Sequence, residues 1–156
     1  IETAQHATTA YTNLDALGKT VAVMGGGLVG CETALFLAET GRDVTIIEMQ
    51  DSVAPDANWM HRVGMLQSFG QQKNLHVKTG LRCMAVTDAG VETQDKDGNR
   101  VMIPAESKVY AFGQRAAAVD KLMALDVPVI RIIGDCHQVG KTNGAIFDGY
   151  HAAMDL

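Results

Sequence analysis

Two short apolar runs, with a helical pattern between them, organise the first third of the chain. The run from Thr20 to Met24 is apolar without interruption, which is typical of a central parallel strand covered on both faces. After a glycine-rich turn, apolar residues recur at helical spacing to about Thr40, and Gly41 predicts the end of that helix. A second buried strand is predicted from Asp43 to Glu48. This order predicts a strand–helix–strand unit with a right-handed crossover.

The remaining chain alternates between further helical and strand-like patterns. A helix is predicted from about Asp56 to Phe69, and its Trp59 is expected to pack in a core or a domain interface rather than against a ligand. The short strand-like runs that follow predict a small antiparallel meander closed by a hairpin. These runs are His76 to Thr79, Leu81 to Val86, Val91 to Gln94 and Arg100 to Ile103. The later predictions are strands at Ser107 to Phe112 and Val129 to Ile133, and helices at Val119 to Leu125 and Gly144 to Leu156.

Glycines occupy three fixed positions in the turn after the first strand. Gly25, Gly27 and Gly30 have the G-x-G-x-x-G spacing. They allow, in that order, a tight turn, a close approach of ligand to backbone, and contact between helix and strand. A dinucleotide pyrophosphate needs backbone N–H donors at a helix N-terminus, where the helix dipole favours negative charge. Residues 25–30, with Gly26 included, are therefore predicted to bind a dinucleotide, and this loop suits FAD and NAD equally.

The acid at the end of the second strand narrows the choice of cofactor. Glu48 lies 18 positions after Gly30, close to the spacing of about 20 at which an acid binds the adenosine ribose. Its carboxylate would repel a 2′-phosphate, and neither Met49 nor Gln50 supplies a compensating cation. The sequence therefore favours NAD(H) over NADP(H).

These patterns predict an α/β fold, namely a Rossmann-like three-layer domain with a central parallel sheet and a small antiparallel β-meander. Residues 1–17 lack sustained periodicity and are expected to be a connector. Because the chain opens at Ile1 rather than Met, we expect a segment of a longer polypeptide.

Charge and cysteine usage exclude several classes of partner. The net charge of −5 gives no basic surface for nucleic acid or anionic membranes. No apolar run approaches the roughly 20 residues of a membrane span, and no signal peptide is visible, so a cytoplasmic location is expected. Cys31, Cys83 and Cys136 lie far apart, without a C-x-x-C pair. They are expected to be free thiols, with no metal, iron–sulfur or redox-disulfide site in this segment.

The chain resembles the two-dinucleotide flavoprotein module of pyridine-nucleotide disulfide reductases. Within that group it is most similar to old-yellow-enzyme-type reductases such as enoate reductase, 2,4-dienoyl-CoA reductase and trimethylamine dehydrogenase. The strings that carry the resemblance are VAVMGGGLVGCETALFLAETGRDVTIIEM, VAPDANWMHR, DKDGN, VYAFGQR and IIGDCHQVGKTNGAIFDGYHAAMDL. The resemblance implies that residues 18–112 are an NAD(H)-binding domain inserted within an FAD domain. It also implies that residues 113–156 are a linker and a strand–helix segment, of which residues 129–156 return to the FAD domain.

The same resemblance implies roles for further residues. Asp135 matches a position near the FAD ribityl chain or pyrophosphate, although without the family it is only a capping acid in a strand-ending turn. Glu32 matches an acid near the nicotinamide carboxamide, and the alternative is an exposed acid that favours the positive end of the helix dipole. Leu28 and Val29 match the wall of the nicotinamide pocket, and Gly113 matches a place where the backbone passes close to the cofactor.

The implied function is the transfer of hydride from NADH to FAD in a parent oxidoreductase. Electrons would continue through an iron–sulfur centre and FMN, in a barrel outside this segment, to an electron-poor alkene. No catalytic residue is expected within the segment, which should be inactive alone. Two alternatives stay open: a fragment of a dithiol or disulfide reductase, and a nucleotide-binding module without turnover.

Overall fold

A computed structural model describes residues 4–155, which divide into two units at the boundary between Phe112 and Gly113. The first unit contains β1 (Gln5–His6), α1 (Ala7–Thr12), β2 (Thr20–Met24), α2 (Leu28–Glu39), β3 (Asp43–Ile47), α3 (Trp59–Gln71), β4 (Leu75–Lys78), β5 (Arg82–Thr87), β6 (Gly90–Gln94), β7 (Arg100–Pro104) and β8 (Ser107–Tyr110). The second unit contains α4 (Asp120–Met123) and α5 (Thr142–Met154).

The predicted strand–helix–strand unit lies at the centre of a five-stranded parallel sheet of order β1-β8-β2-β3-β4. Strands β2 and β3 pair in register from Thr20 with Asp43 to Met24 with Ile47. Because β2 has neighbours on both sides and layers on both faces, its last four residues are all buried. The uninterrupted apolar run is thus the signature of this central position.

Two apolar clusters on opposite faces of the sheet hold three layers together. One joins the sheet to the helices and includes Val23 with Leu37 and Phe69. The other joins the sheet to the β5-β6-β7 antiparallel meander and includes Met24 with Val91 and Ile103. The predicted fold class is therefore confirmed: a central parallel sheet with helices on one face and a separate meander on the other.

Two segments of the first unit differ from the sequence prediction. The run at His76 to Thr79 does not belong to the meander, because β4 pairs in parallel with β3 at the edge of the main sheet. Residues 1–17 were expected to be a connector, yet in the described part of this range β1 pairs with β8 and α1 buries Ala7 and Ala10 completely. A two-residue strand and a six-residue helix are too short to produce a visible period in the sequence.

Helix α3 begins at Trp59 rather than Asp56, and it extends beyond the predicted end at Phe69 to Gln71. Its core contacts come from Met65 and Phe69, whereas Trp59 is 71% exposed in this structure. Trp59 therefore does not pack in the core of its own unit, and its predicted use at a domain interface stays a prediction.

In the second unit the predicted closing helix forms as α5, and the predicted helix at 119–125 is reduced to the four residues of α4. The predicted strand at Val129 to Ile133 is wrong, because these residues are unpaired in the described chain. A strand needs a neighbour for its backbone N–H and C=O groups. The described residues of this unit contribute no strand that could serve as that neighbour.

Candidate dinucleotide-binding site

The glycine turn between β2 and α2 has the geometry that its three glycines predict. Gly25 has φ +102°, and a Cβ there would lie 2.5 Å from the carbonyl oxygen of Ala111. A Cβ on Gly30 would lie 1.9 Å from the carbonyl oxygen of Gly25, so only glycine lets α2 approach the strand this closely. A Cβ on Gly27, by contrast, would meet no described atom within 4 Å. The space above Gly27 is therefore open to a ligand.

The N-terminus of α2 keeps its backbone donors available. Within residues 4–155 no side chain caps this helix, whose first internal bond runs from the Cys31 N–H to the Gly27 carbonyl at 3.0 Å. Helix α3 differs, because Asn58 accepts the N–H of Met60 at 3.0 Å. The first N–H groups of a helix have no intrahelical acceptor, so an uncapped end favours an anion.

The peptide group of Gly26 fixes the turn internally. Its N–H donates to Glu48 Oε2 at 2.6 Å, and its carbonyl oxygen accepts the N–H of Ala54 at 2.7 Å. The thiol of Cys31 also points at this carbonyl oxygen, with an S–O distance of 3.3 Å. Ala54 is a buried non-glycine residue at φ +46°, a strained conformation that the contact with Gly26 helps to hold. The loop after β3 thus supports the glycine turn.

Glu48 lies at the end of β3, beside this turn, with 9% of its surface exposed. Its Oε2 accepts the Gly26 N–H, and its Oε1 accepts the N–H of Gln50 at 2.7 Å. Each carboxylate oxygen can accept more than one hydrogen bond, so a ribose hydroxyl can be added to this set. Glu48 therefore has a structural task that the spacing did not reveal, in addition to its predicted contact with ribose.

Glu32, which the resemblance places near the nicotinamide, has a partner on α3. Its Oε1 lies 3.2 Å from Nε2 of His61, and both side chains are about half exposed. Twenty-nine positions separate the two residues, so no local pattern could identify His61. Of the predicted pocket wall, Leu28 packs against the core on the helix side of the sheet, whereas Val29 is 52% exposed.

Gly113 and Asp135 belong to the second unit, so their predicted roles stay predictions. Gly113 has φ +85°, and a Cβ there would meet no described atom within 4 Å. Asp135 lies in a short 3₁₀ turn and accepts the N–H of Gly140 at 3.2 Å. Asp148 on α5 accepts the N–H of Gly134 at 3.1 Å, which ties this turn to the helix. Asp135 thus accepts a backbone N–H within its own loop, and it caps neither the 3₁₀ turn nor α5.

The cysteines near the site are protonated thiols at neutral pH. Burial, reinforced by the negative charge of Glu48, raises the pKa of Cys31 to about 12 and that of Cys83 to about 11. Cys136 is exposed, and all three are free thiols. Over the described residues, no group of three or more His, Cys, Asp or Glu side chains could hold a metal ion. None of the helices described here is long and apolar enough to cross a bilayer.

The fold and the glycine turn define a dinucleotide-binding domain, and comparison with known proteins gives its family. A family model described as pyridine nucleotide-disulphide oxidoreductase matches residues 1–152. The chain belongs to this family of oxidoreductases, which bind FAD and NAD(P) in Rossmann-like domains. The family resemblance inferred from the sequence is thereby confirmed.

Particular relatives are larger oxidoreductases. The chain is 37% identical to an NADH oxidase of Thermoanaerobacter brockii and 33% identical to a cinnamate reductase of Clostridium sporogenes. These alignments cover 87% and 90% of this chain but 21% of each relative. A solved structure of 2-naphthoyl-CoA reductase matches 99% of this chain with a TM-score of 0.85 and 27% identity, over 24% of its own chain. The chain thus spans about a fifth of the length of the curated relatives that it matches.

Proposed function

We propose that this chain is the NAD(H)-binding part of a flavin-dependent oxidoreductase that passes hydride from NADH to FAD. The observation that carries the proposal is the uncapped N-terminus of α2, with open space above Gly27 and the buried carboxylate of Glu48 beside it. These groups suit a pyrophosphate and an adenosine ribose, in that order. Residues 25–30 would hold the pyrophosphate, and Glu48 would accept the ribose hydroxyls.

The chain's own residues would bind and orient the cofactor. When bound, NADH supplies a hydride and FAD accepts it. Glu32 would accept an N–H of the nicotinamide carboxamide through the oxygen that His61 does not contact. Leu28 and Val29 would form an apolar wall beside the nicotinamide ring. In this proposal these side chains bind and orient the cofactor, and none of them acts as a general acid or base.

The parent protein would complete the reaction outside this segment. Three relatives extend far beyond the matched region: an NADH oxidase, a cinnamate reductase and a 2-naphthoyl-CoA reductase. Their length supports further domains in the parent. We propose that those domains complete the FAD site, to which Asp135 contributes, and that a barrel with FMN and an iron–sulfur cluster reduces an enoate-type alkene. The exposed apolar residues of α5, such as Phe147 and Tyr150, would then be covered by the remainder of the FAD domain.

Titration of the purified chain with NADH, followed by nicotinamide fluorescence, tests the proposal. We expect saturable one-to-one binding, with NADPH at least about tenfold weaker because Glu48 repels its 2′-phosphate. Equal affinity for both cofactors would contradict the role given to Glu48. A lack of any saturable NADH signal, from a chain shown to be folded by circular dichroism, would contradict the proposed function.

A further inference from the structure

A lysine of the meander forms an ion pair with an aspartate in the loop that follows Glu48. The Nζ of Lys96 lies 2.5 Å from Oδ1 of Asp51, although 45 positions separate the two residues. The sequence offered no cation immediately after Glu48, because Met49 and Gln50 are uncharged. The fold brings a cation, Lys96, to this loop from the β6–β7 hairpin, and Asp51 forms an ion pair with it.

The turn that carries Lys96 is well defined. It connects β6 to β7, and Oδ1 of Asp95 accepts the N–H groups of Asp97 at 2.9 Å and Asn99 at 2.8 Å. The Asn99 side chain donates to the other oxygen of Asp95, and these hydrogen bonds lower the pKa of the Asp95 carboxyl. Gly98 completes the turn at φ +87°. The lysine is therefore presented from a fixed backbone position.

The loop that carries Asp51 is fixed relative to Glu48. The Gln50 N–H donates to Glu48 Oε1 at 2.7 Å, and the Gln50 carbonyl accepts the N–H of Gly80 at 3.0 Å. The Glu48 carbonyl accepts the N–H of Leu81 at 2.9 Å, where the chain enters the meander. Asp51 follows Gln50 directly, so the Asp51–Lys96 pair lies in the loop after β3, three positions along the chain from Glu48.

We propose that Asp51 and Lys96 form a second determinant of cofactor choice, which disfavours a 2′-phosphate in addition to Glu48. The inference rests on the proposed binding of NAD(H) at residues 25–48. Lysine binds phosphate as a point charge on a flexible stem, so an unpaired Lys96 would attract the 2′-phosphate of a cofactor bound beside Glu48. Asp51 opposes this in two ways, because its carboxylate neutralises the ammonium group and itself repels the phosphate.

Both side chains are largely exposed, at 65% for Lys96 and 79% for Asp51. An exposed ion pair of this kind is readily exchanged for another partner and is screened by salt. Lys96 is therefore free to turn to a phosphate once the Asp51 charge is removed. The effect on NADPH should be large at low ionic strength and smaller at high ionic strength.

The test compares Asp51→Asn, Lys96→Gln and the double variant with the wild-type chain, each titrated with NADH and NADPH at low and high salt. We expect Asp51→Asn to tighten NADPH binding about five- to tenfold at low salt while NADH affinity changes by less than about twofold. In the double variant that gain should disappear. Asp97→Asn is the matched control, because it removes one negative charge from the turn beside Lys96 without breaking the pair.

Each outcome decides the proposal. An unchanged NADPH affinity in Asp51→Asn would overturn it, as would a gain that survives in the double variant or one that Asp97→Asn reproduces. If the chain binds NADH but its NADPH affinity does not change in any of these variants, the role given to Asp51 and Lys96 is wrong and the proposed function stands. If no variant binds NADH, the proposed function fails and this inference fails with it.

Discussion

Replacing Gly27 with alanine should weaken NADH binding at least about tenfold with little effect on folding. The added Cβ would project into the open space above the turn, where the pyrophosphate is expected. The backbone of Gly27, at φ −66° and ψ 177°, suits alanine, so the free energy of unfolding should fall by less than about 1 kcal/mol. Fluorescence titration measures the affinity, and urea denaturation measures the stability.

Gly30→Ala is the matched comparison within the same turn. Its Cβ would overlap the carbonyl oxygen of Gly25 inside the protein rather than in the ligand space. We expect a stability loss of about 1–3 kcal/mol, because the turn must shift to admit the methyl group. A Gly27→Ala variant that binds NADH as tightly as the wild type would contradict the assignment of this turn to the pyrophosphate.

Replacing Glu48 with alanine should reduce both stability and NADH affinity. The Gly26 and Gln50 N–H groups would lose the carboxylate that accepts them, which costs about 1–3 kcal/mol of folding free energy for a buried donor. Loss of the ribose contact, together with a looser turn, should weaken NADH binding at least about tenfold. Because both effects are expected, affinity must be measured where unfolding curves show the variant to be folded.

Glu106→Ala is the control variant that separates loss of stability from loss of the ribose contact. Glu106 also accepts two backbone N–H groups, those of Lys19 at 2.5 Å and Thr20 at 3.4 Å, but at the opposite end of β2. This variant should lose stability while its NADH affinity stays within about twofold of wild type. If Glu106→Ala weakened binding as much as Glu48→Ala, general loosening of the sheet would explain both, and the ribose role of Glu48 would be wrong.

Local sequence patterns predicted the elements that hold the candidate site. The apolar run of β2 and the helical period of α2 identified both elements, because each depends on neighbours close in the chain. The glycine spacing gave the turn for the same reason, since the requirement for a positive φ at Gly25 is a local property. The length of the second predicted strand placed Glu48 at its end, beside the glycine turn.

Contacts between distant segments could not be predicted in this way. His61 reaches Glu32, and Lys96 reaches Asp51, only because helices and hairpins pack side by side. Ala54 gave no signal, because alanine rarely adopts a positive φ and nothing local marks the exception. The wrong strand prediction at Val129 to Ile133 has a different cause, because here a local pattern was present and the distant partner was not. Its strand-like composition is real, but composition cannot supply the neighbouring strand that a sheet requires.

Backbone amide NMR can show whether NADH binds over the N-terminus of α2. The ¹⁵N-labelled chain is titrated with NADH, with amide shifts followed residue by residue. We expect the largest shifts on the amides of residues 27–30 and on those around Glu48, and all of these shifts should follow the same saturation curve. Shifts that saturate elsewhere while the amides of 27–30 stay unchanged would contradict it.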